Sequence, residues 1–414
     1  MKQLPLFLFV SGGIVLAGET SPGGKEPVAE DPPPAAWETS FGGHAAAELR
    51  WFPSSPLDPR QEDFAPSLVL APEWKFTNED AKLTVTAAPF GRLDFLDDER
   101  THADLREFNI MAKFDNSDLL VGVGKVFWGA MEAVHWVDVI NQTDLIEDPD
   151  GEEKLGQPMI NYNLYTDYGR FSFFALPGFR ERTYPGPDGR LRLHPRIVAD
   201  QAVYESGSEE WHIDFAARWS KTFGDLDVGL SYFHGTTREP IYLLGTDGDE
   251  TVLQPLYEIV DQAGLDATYT TGDWLLKSEV MFRAGQGEED FVRAAAGFEY
   301  TFHGIAGTRA DLGVIGEFLY DSQGNNDINP FENDIVVGLR FAFNDLRDTT
   351  LLLSAITDPD DGSTFINLES SLRLGENWVV AAEARAFAGI PEDDFPLNGY
   401  RRDSYVQLGL EYHF

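Results

Sequence analysis

The chain repeats one pattern, an alternation of apolar and polar side chains in stretches of roughly 10–14 residues. In residues 211–219 one face carries Trp, Ile, Phe and Ala, while the other carries His, Asp and Arg. Residues 335–343 repeat the arrangement, with Ile, Val, Leu and Phe opposite Gly and Arg. Successive side chains of a β-strand point to opposite faces, so this period of two predicts strands.

About eighteen such stretches follow one another from Gly42 to Phe414, and they begin near residues 42, 67, 81, 103, 119, 158, 169, 211, 226, 254, 274, 290, 309, 333, 349, 364, 378 and 403. The connections alternate approximately between short turns rich in Asn, Gly and Asp and long segments such as 183–210 and 238–253. We therefore predict an all-β fold, a transmembrane antiparallel up-and-down β-barrel of about 18 strands, between 16 and 20, with the long loops outside the cell.

The polar face of these stretches carries full charges in mid-strand, and in a membrane barrel this face would line the lumen while the apolar face meets lipid. The basic side chains expected on the lumen wall are Arg218, Lys277, Arg283, Arg293, Arg340, Arg373 and Arg385. The chain ends in Tyr412, His413 and Phe414. A terminal Phe on an alternating, aromatic strand resembles the assembly signal of outer-membrane barrels.

The N-terminus has the features of an exported protein. Lys2 precedes an apolar run from Leu4 to Leu16, and small residues follow up to Ala17. The run is short for a membrane span, so we expect a signal peptide at residues 1–17 that is cleaved after Ala17. A periplasmic Pro-rich leader at 18–41 and the barrel at 42–414 would follow. These features predict a protein integral to the outer membrane of a Gram-negative cell.

Composition agrees with this interpretation and limits the partners. Aromatic residues make up 13 % of the chain, Cys is absent, and the formal net charge is −39. Nucleic acid is not expected as a partner, because its phosphates would be repelled. The predicted outer loops hold about 37 Asp and Glu against about 11 Lys and Arg. Such an acidic mouth would attract cations; alternatively, it keeps the surface soluble or shares divalent cations with lipopolysaccharide.

Residues 121–129 read Val-Gly-Val-Gly-Lys-Val-Phe-Trp-Gly and lead towards Asn141 and Asp144. This resembles the strand end and loop of porin-like outer-membrane barrels of poorly defined function, in which Gly-basic-x-x-Trp-Gly precedes Asn-x-x-Asp. Alginate-exporter-like and selective-porin-like barrels have the same general layout. The close resemblance covers about 25 residues, and Lys125 stands where Arg is commoner. It implies a porin-like barrel and leaves the substrate class open.

The connection at 130–157 is long for a hairpin, and long loops are often functional. We expect it to fold inward and narrow the pore, with constriction residues Glu132, His135, Asp138 and Asp144. The first three are spaced three residues apart, which would cluster them if the loop were helical. A metal site there is the less favoured alternative, because only one His is present and Cys is absent. We predict neither a metal nor another cofactor.

These observations predict a channel that passes small hydrophilic solutes, passively or selectively. An exporter or surface-assembly barrel that serves a periplasmic partner is the main alternative. An outer-membrane enzyme is less favoured, because the Gly-x-Ser-x-Gly, phosphate-loop and His-Glu-x-x-His motifs are absent. The other expected partners are outer-membrane lipid, lipopolysaccharide and the barrel assembly machinery. Porins are often trimers, so a homotrimer is considered as well, but the sequence does not show an oligomer interface.

Overall fold

The computed structural model describes residues 37–324, 329–392 and 397–414. Nearly all regular structure in these residues is β-strand. The strands are β1 (Glu38–Trp51), β2 (Phe64–Asn78), β3 (Leu83–Asp94), β4 (His102–Lys113), β5 (Ser117–Gly124), β6 (Gln157–Thr166), β7 (Gly169–Pro177), β8 (Val203–Tyr204), β9 (Ile213–Phe223), β10 (Leu226–Thr236), β11 (Ile241–Asp247), β12 (Glu250–Tyr257), β13 (Ile259–Thr271), β14 (Trp274–Ala284), β15 (Phe291–Phe302), β16 (Asp311–Asp321), β17 (Ile335–Ala342), β18 (Thr350–Thr357), β19 (Thr364–Leu374), β20 (Trp378–Ala388) and β21 (Tyr405–His413). Short 3₁₀ turns occupy Ala199–Gln201, Glu209–Trp211, Ile305–Gly307 and Leu397–Tyr400.

Eighteen of these strands form one closed antiparallel sheet, which confirms the predicted fold class and strand number. Each barrel strand pairs with its neighbours in chain order, and β1 pairs with both β2 and β21. Ala47, for example, lies opposite Leu68 on one side and Leu410 on the other. Closure leaves no sheet edge, so backbone groups throughout the wall are paired, as a lipid environment requires.

The alternation in sequence corresponds to the two faces of the wall. On β9, Phe215 is 54 % exposed on the outer face, whereas the neighbouring Asp214 is fully buried inside. On β17, Ile335 and Val337 are exposed and Val336 between them is buried. A continuous band of exposed apolar side chains on the outside and polar side chains within is the arrangement of a transmembrane barrel.

Aromatic side chains gather at the rim that holds the short turns. Pairs of rings lie there at centroid distances of 5.1 Å for Phe41 and Trp74, 4.7 Å for Trp274 and Tyr300, and 4.9 Å for Trp378 and Tyr412. Such girdles mark the membrane interface of outer-membrane barrels, where an amphipathic ring meets both headgroups and acyl chains. No helix in the described ranges is long and apolar enough to span a bilayer.

The long connections share one rim, and the short turns share the other with the first and last described residues. Three of the long connections, 125–156, 178–212 and 237–258, carry most of the interior structure. In two of them, β8, β11 and β12 form a separate small sheet. Residues 250–257 therefore belong to a loop hairpin, and the barrel strand expected near 254 begins at Ile259. The hairpin alternates like a barrel strand, which is why sequence could not separate them.

The first strand also begins earlier than expected, at Glu38 instead of Gly42. The predicted signal peptide at 1–17 lies outside the described residues, as does the predicted leader at 18–41 except for its last residues. Those last residues belong to β1 or directly precede it. Export and cleavage therefore stay predictions.

Candidate functional site

Residues 125–156, which connect β5 to β6, lie inside the barrel, and we call them the inserted segment. Val137 and Ile140 are completely buried and pack in one apolar cluster with Phe233 of β10. Met131 packs in a second cluster with Met281 of β14. These wall residues lie on the inner face, so apolar packing holds the inserted segment against the inside of the wall.

A buried carboxylate on β14 holds the beginning of the inserted segment. Glu279 has no exposed surface, and its Oε1 accepts the backbone N–H groups of Ala130 at 2.6 Å and Met131 at 3.1 Å. Its other oxygen accepts the N–H of Val137 at 3.4 Å. The segment forms no helix or strand there, and its backbone donors would otherwise be unpaired. Glu279 therefore accepts the backbone hydrogen bonds that a neighbouring strand would accept in a β-sheet.

Glu317 of β16 binds the next two residues in the same way. Its two oxygens accept the N–H groups of Glu132 at 2.8 Å and Ala133 at 3.1 Å. Glu317 is buried, and the adjacent Phe318 points out to the lipid face. Two inward carboxylates on neighbouring parts of the wall thus bind four successive backbone donors, which fixes where the segment crosses the lumen.

Glu132, the first predicted constriction residue, pairs with cations of β14 and β17, close to the strands that carry Glu279 and Glu317. Its Oε2 lies 2.6 Å from Arg340 Nη2 and 3.5 Å from Lys277 Nζ. Burial alone would raise the pKa of Glu132, but the nearby cations, Arg340 foremost, lower it. The carboxyl group is therefore ionised and paired. An acidic residue of the inserted segment and two basic wall residues therefore form ion pairs in contact.

His135 and Asp138 are enclosed within the same segment. The His135 ring meets Phe127 edge-on at 4.8 Å, and burial, aided by Lys154, lowers the pKa of His135 to about 4. The Asp138 side chain is fully buried, accepts the Trp128 N–H at 3.3 Å and lies 3.5 Å from Lys154 Nζ. Burial raises the pKa of Asp138 despite Lys154. His135 is neutral at ordinary pH, and Asp138 helps to fold the segment.

Asp144 has no exposed surface and ties the inserted segment to two other elements. Its carboxylate accepts hydrogen bonds from Arg106 of β4 and from Thr183 of the 178–212 connection, both at 2.6 Å. Burial would raise the pKa of Asp144, but the hydrogen bonds from His102, Arg106 and Thr183 and the charge of Arg106 lower it to about 2. Asp144 holds the segment in place and has no surface for contact with a solute.

The predicted clustering of Glu132, His135 and Asp138 does not occur, because the segment is not helical over these residues and their side chains have different partners. The described residues contain one group with metal-ligand geometry, formed by His102, Asp144 and Glu147. Arg92 binds Glu147 through both oxygens, at 2.7 and 2.6 Å. Since arginines already bind both carboxylates, the group functions as an ion-pair network.

The predicted basic wall residues point inward or lie at a rim, each paired with a carboxylate. Arg283 and Arg293 share Glu239 of the 237–258 connection, at 2.6 and 2.8 Å. Arg218 pairs with Asp266 of β13 at 2.6 Å, and it lies away from the cavity described next.

The other two wall arginines occupy different levels of the barrel. Arg385 binds Asp148 and Asp150 of the inserted segment at 2.9 and 2.8 Å. Arg373 pairs with Asp348 at the short-turn rim, at 3.1 Å.

A cavity of about 510 Å³ remains between the inserted segment and the wall formed by β17 to β20. Thr350, Asn367 and Arg385 line it on the wall side, and Glu132, Asp150 and Glu152 line it on the segment side. The residues of β18, β19 and β20 are half-buried along most of the length of these strands, because the cavity separates them from most of the inserted segment.

Sequence reasoning missed most of the residues that position the segment. The sequence places Glu279 on the lumen face, and Glu317 has the same position on an apolar strand, but neither pattern shows that these carboxylates bind the backbone of the segment. Arg182 and Glu239 lie in connections without periodicity, and only the folded arrangement brings them into the lumen.

No family model matches the chain, and no curated protein matches it. Among solved structures, a mutant of the Rh. blastica porin aligns with 91 % of this chain and 100 % of its own length, at 13 % identity and a TM-score of 0.47. A triple mutant of the Rhodopseudomonas blastica porin covers the same shares, at 12 % identity and a TM-score of 0.44. The assignment of a membrane barrel rests on the closed strand pairing and the exposed apolar band.

Proposed function

We propose that this protein is a porin-like channel of the outer membrane that passes small hydrophilic solutes. The observation that carries the proposal is the cavity between the inserted segment and β17 to β20, which charged and polar side chains line within a closed barrel. A barrel of this strand number is wide enough for an aqueous lumen. In such a channel the barrel wall encloses the pore, and the side chains that face the lumen determine which solutes pass.

The inserted segment is the proposed constriction. It crosses the lumen on buried carboxylates and ion pairs, so its position is defined by the wall and does not depend on a solute. Glu132 contributes a charge at the cavity surface, paired with Arg340. His135, Asp138 and Asp144 contribute by holding the segment in shape. Selectivity at this level therefore depends on which charges lack a close partner.

Conductance in planar lipid bilayers tests the proposal. The full-length mature protein, purified in detergent, is expected to give discrete current steps in potassium chloride and to admit small sugars in a liposome swelling assay. A barrel that inserts, as shown by its heat-modifiable mobility on gels, but gives no unit conductance at any voltage would overturn the proposal.

A further inference from the structure

The lysine and arginine side chains that line the cavity are paired with one clear exception. Six basic lining residues have a carboxylate oxygen within 4 Å, and they are Lys154, Arg192, Arg238, Arg283, Arg340 and Arg385. In the described ranges no carboxylate lies that close to Arg182, although it lines the same cavity. The guanidinium makes one long hydrogen bond, from Nε to Gln142 Oε1 at 3.4 Å.

The Arg182 guanidinium, which has no carboxylate within 4 Å among the described residues, has polar and apolar neighbours in the cavity. Tyr184 and Tyr242 line the cavity, with their hydroxyl groups 3.4 Å apart. Leu145 and Leu193 also line it and belong, with both tyrosines, to one apolar cluster. Arg182 thus lies near two hydroxyl groups and an apolar patch. Glu239, which is bound by Arg283 and Arg293, acts on Arg182 from beyond ion-pair distance.

An arginine in this position is suited to an anion. The guanidinium is charged at every accessible pH and presents a planar fork of donors that matches a carboxylate. A cation that is partly shielded from water normally has an anionic partner. The described residues place no carboxylate within 4 Å of Arg182, so the anionic group of an incoming ligand can take that position. A cavity of about 510 Å³ is within the range that encloses a small organic molecule.

We propose that Arg182 binds the carboxylate of small organic acids, and that the preferred solutes carry one carboxylate and an apolar body. The inference rests on the proposed channel function and narrows its substrate class. The tyrosine hydroxyls add donors to the carboxylate, and Leu145 and Leu193 receive the apolar body. The acidic outer loops repel anions in proportion to their charge, which favours one carboxylate over several.

Calorimetric titration of the full-length protein in detergent tests the site without requiring transport. Benzoate is the probe, and benzyl alcohol is its neutral counterpart of similar shape. We expect Arg182→Gln to weaken benzoate binding by about 10- to 100-fold, the usual effect of losing a charge-assisted hydrogen bond. Arg182→Lys should lose less, because it keeps the charge without the fork. Arg402→Gln is the matched control, since Arg402 is exposed at the long-loop rim.

Equal benzoate affinity in Arg182→Gln and wild type would overturn the inference, as would equal affinity of the wild type for benzyl alcohol and benzoate. Bilayer conductance separates the two proposals. A wild-type protein that binds benzoate through Arg182 and never conducts refutes the channel and keeps the site. A protein that conducts but shows no binding dependent on Arg182 keeps the channel and refutes the site.

Discussion

Replacing Glu279 by Ala should release the inserted segment while leaving the barrel intact. The substitution removes the acceptor for the N–H groups of Ala130 and Met131, at 2.6 and 3.1 Å, and for the weaker bond from Val137 at 3.4 Å. Each good hydrogen bond to a charged group contributes about 1.5–3 kcal/mol. Water can enter the space left by the carboxylate and recover part of the loss. We therefore take the lower limit, about 3 kcal/mol for the two good bonds.

A loss of about 3 kcal/mol shifts the equilibrium between the docked and undocked segment roughly 100-fold. Hydrogen–deuterium exchange measures this directly, because peptides from 125–156 should exchange about 100-fold faster in Glu279→Ala when exchange follows undocking. Peptides from β17 to β20 should not change, and the unit conductance should rise. Glu73→Ala is the control, an exposed carboxylate of β2. Unchanged exchange in the segment would refute the role assigned to Glu279.

Three further predictions concern charges in the lumen. Arg340→Gln removes the cation that lies 2.6 Å from the Glu132 carboxylate. The reversal potential in a salt gradient should then shift towards cation preference. An unchanged reversal potential would mean that Glu132 does not face the conducting path. Asp144 has a pKa of about 2 against an ordinary 3.8, so it contributes about 2 kcal/mol to docking of the segment, fully present above about pH 4 and lost as pH falls towards 2. Exchange of the segment should accelerate across that window in the wild type, whereas Asp144→Asn should be loosened already at neutral pH and lack this pH dependence. Glu239→Gln leaves Arg283 and Arg293 without the carboxylate that they share. The free energy of unfolding, measured in urea, should fall by about 3 kcal/mol. A variant as stable as the wild type would contradict this expectation.

The strands could be predicted from sequence because their determinant is local. Each barrel strand separates apolar from polar residues with period two, and Phe215 beside Asp214 shows how completely the wall sorts them. Counting those stretches gives the number of strands. Because successive strands are antiparallel, it also gives the direction of each strand and places the long connections at one rim. The exception is the hairpin of residues 241–257, whose alternation reflects a small sheet in a loop.

The interior could be predicted only in part, because its determinants are contacts distant in sequence. The length of the 130–157 connection suggested an inward fold, but the spacing of Glu132, His135 and Asp138 carries no information on their partners. Those partners lie on other elements, such as Arg340 on β17. That no carboxylate of the described residues lies within 4 Å of Arg182 likewise depends on the folded arrangement of many segments.

The central claim is that the inner face of β17 to β20 borders the water path while the outer face borders lipid. The chain has no Cys, so single cysteines can report on each face. Asn367→Cys places a thiol in the cavity, and Leu353→Cys places one on the outer face, where the leucine is 38 % exposed. A charged, water-soluble thiol reagent should reduce the single-channel current of the first variant and leave that of the second unchanged. An equal response of both variants, or block through Leu353→Cys alone, would contradict the account.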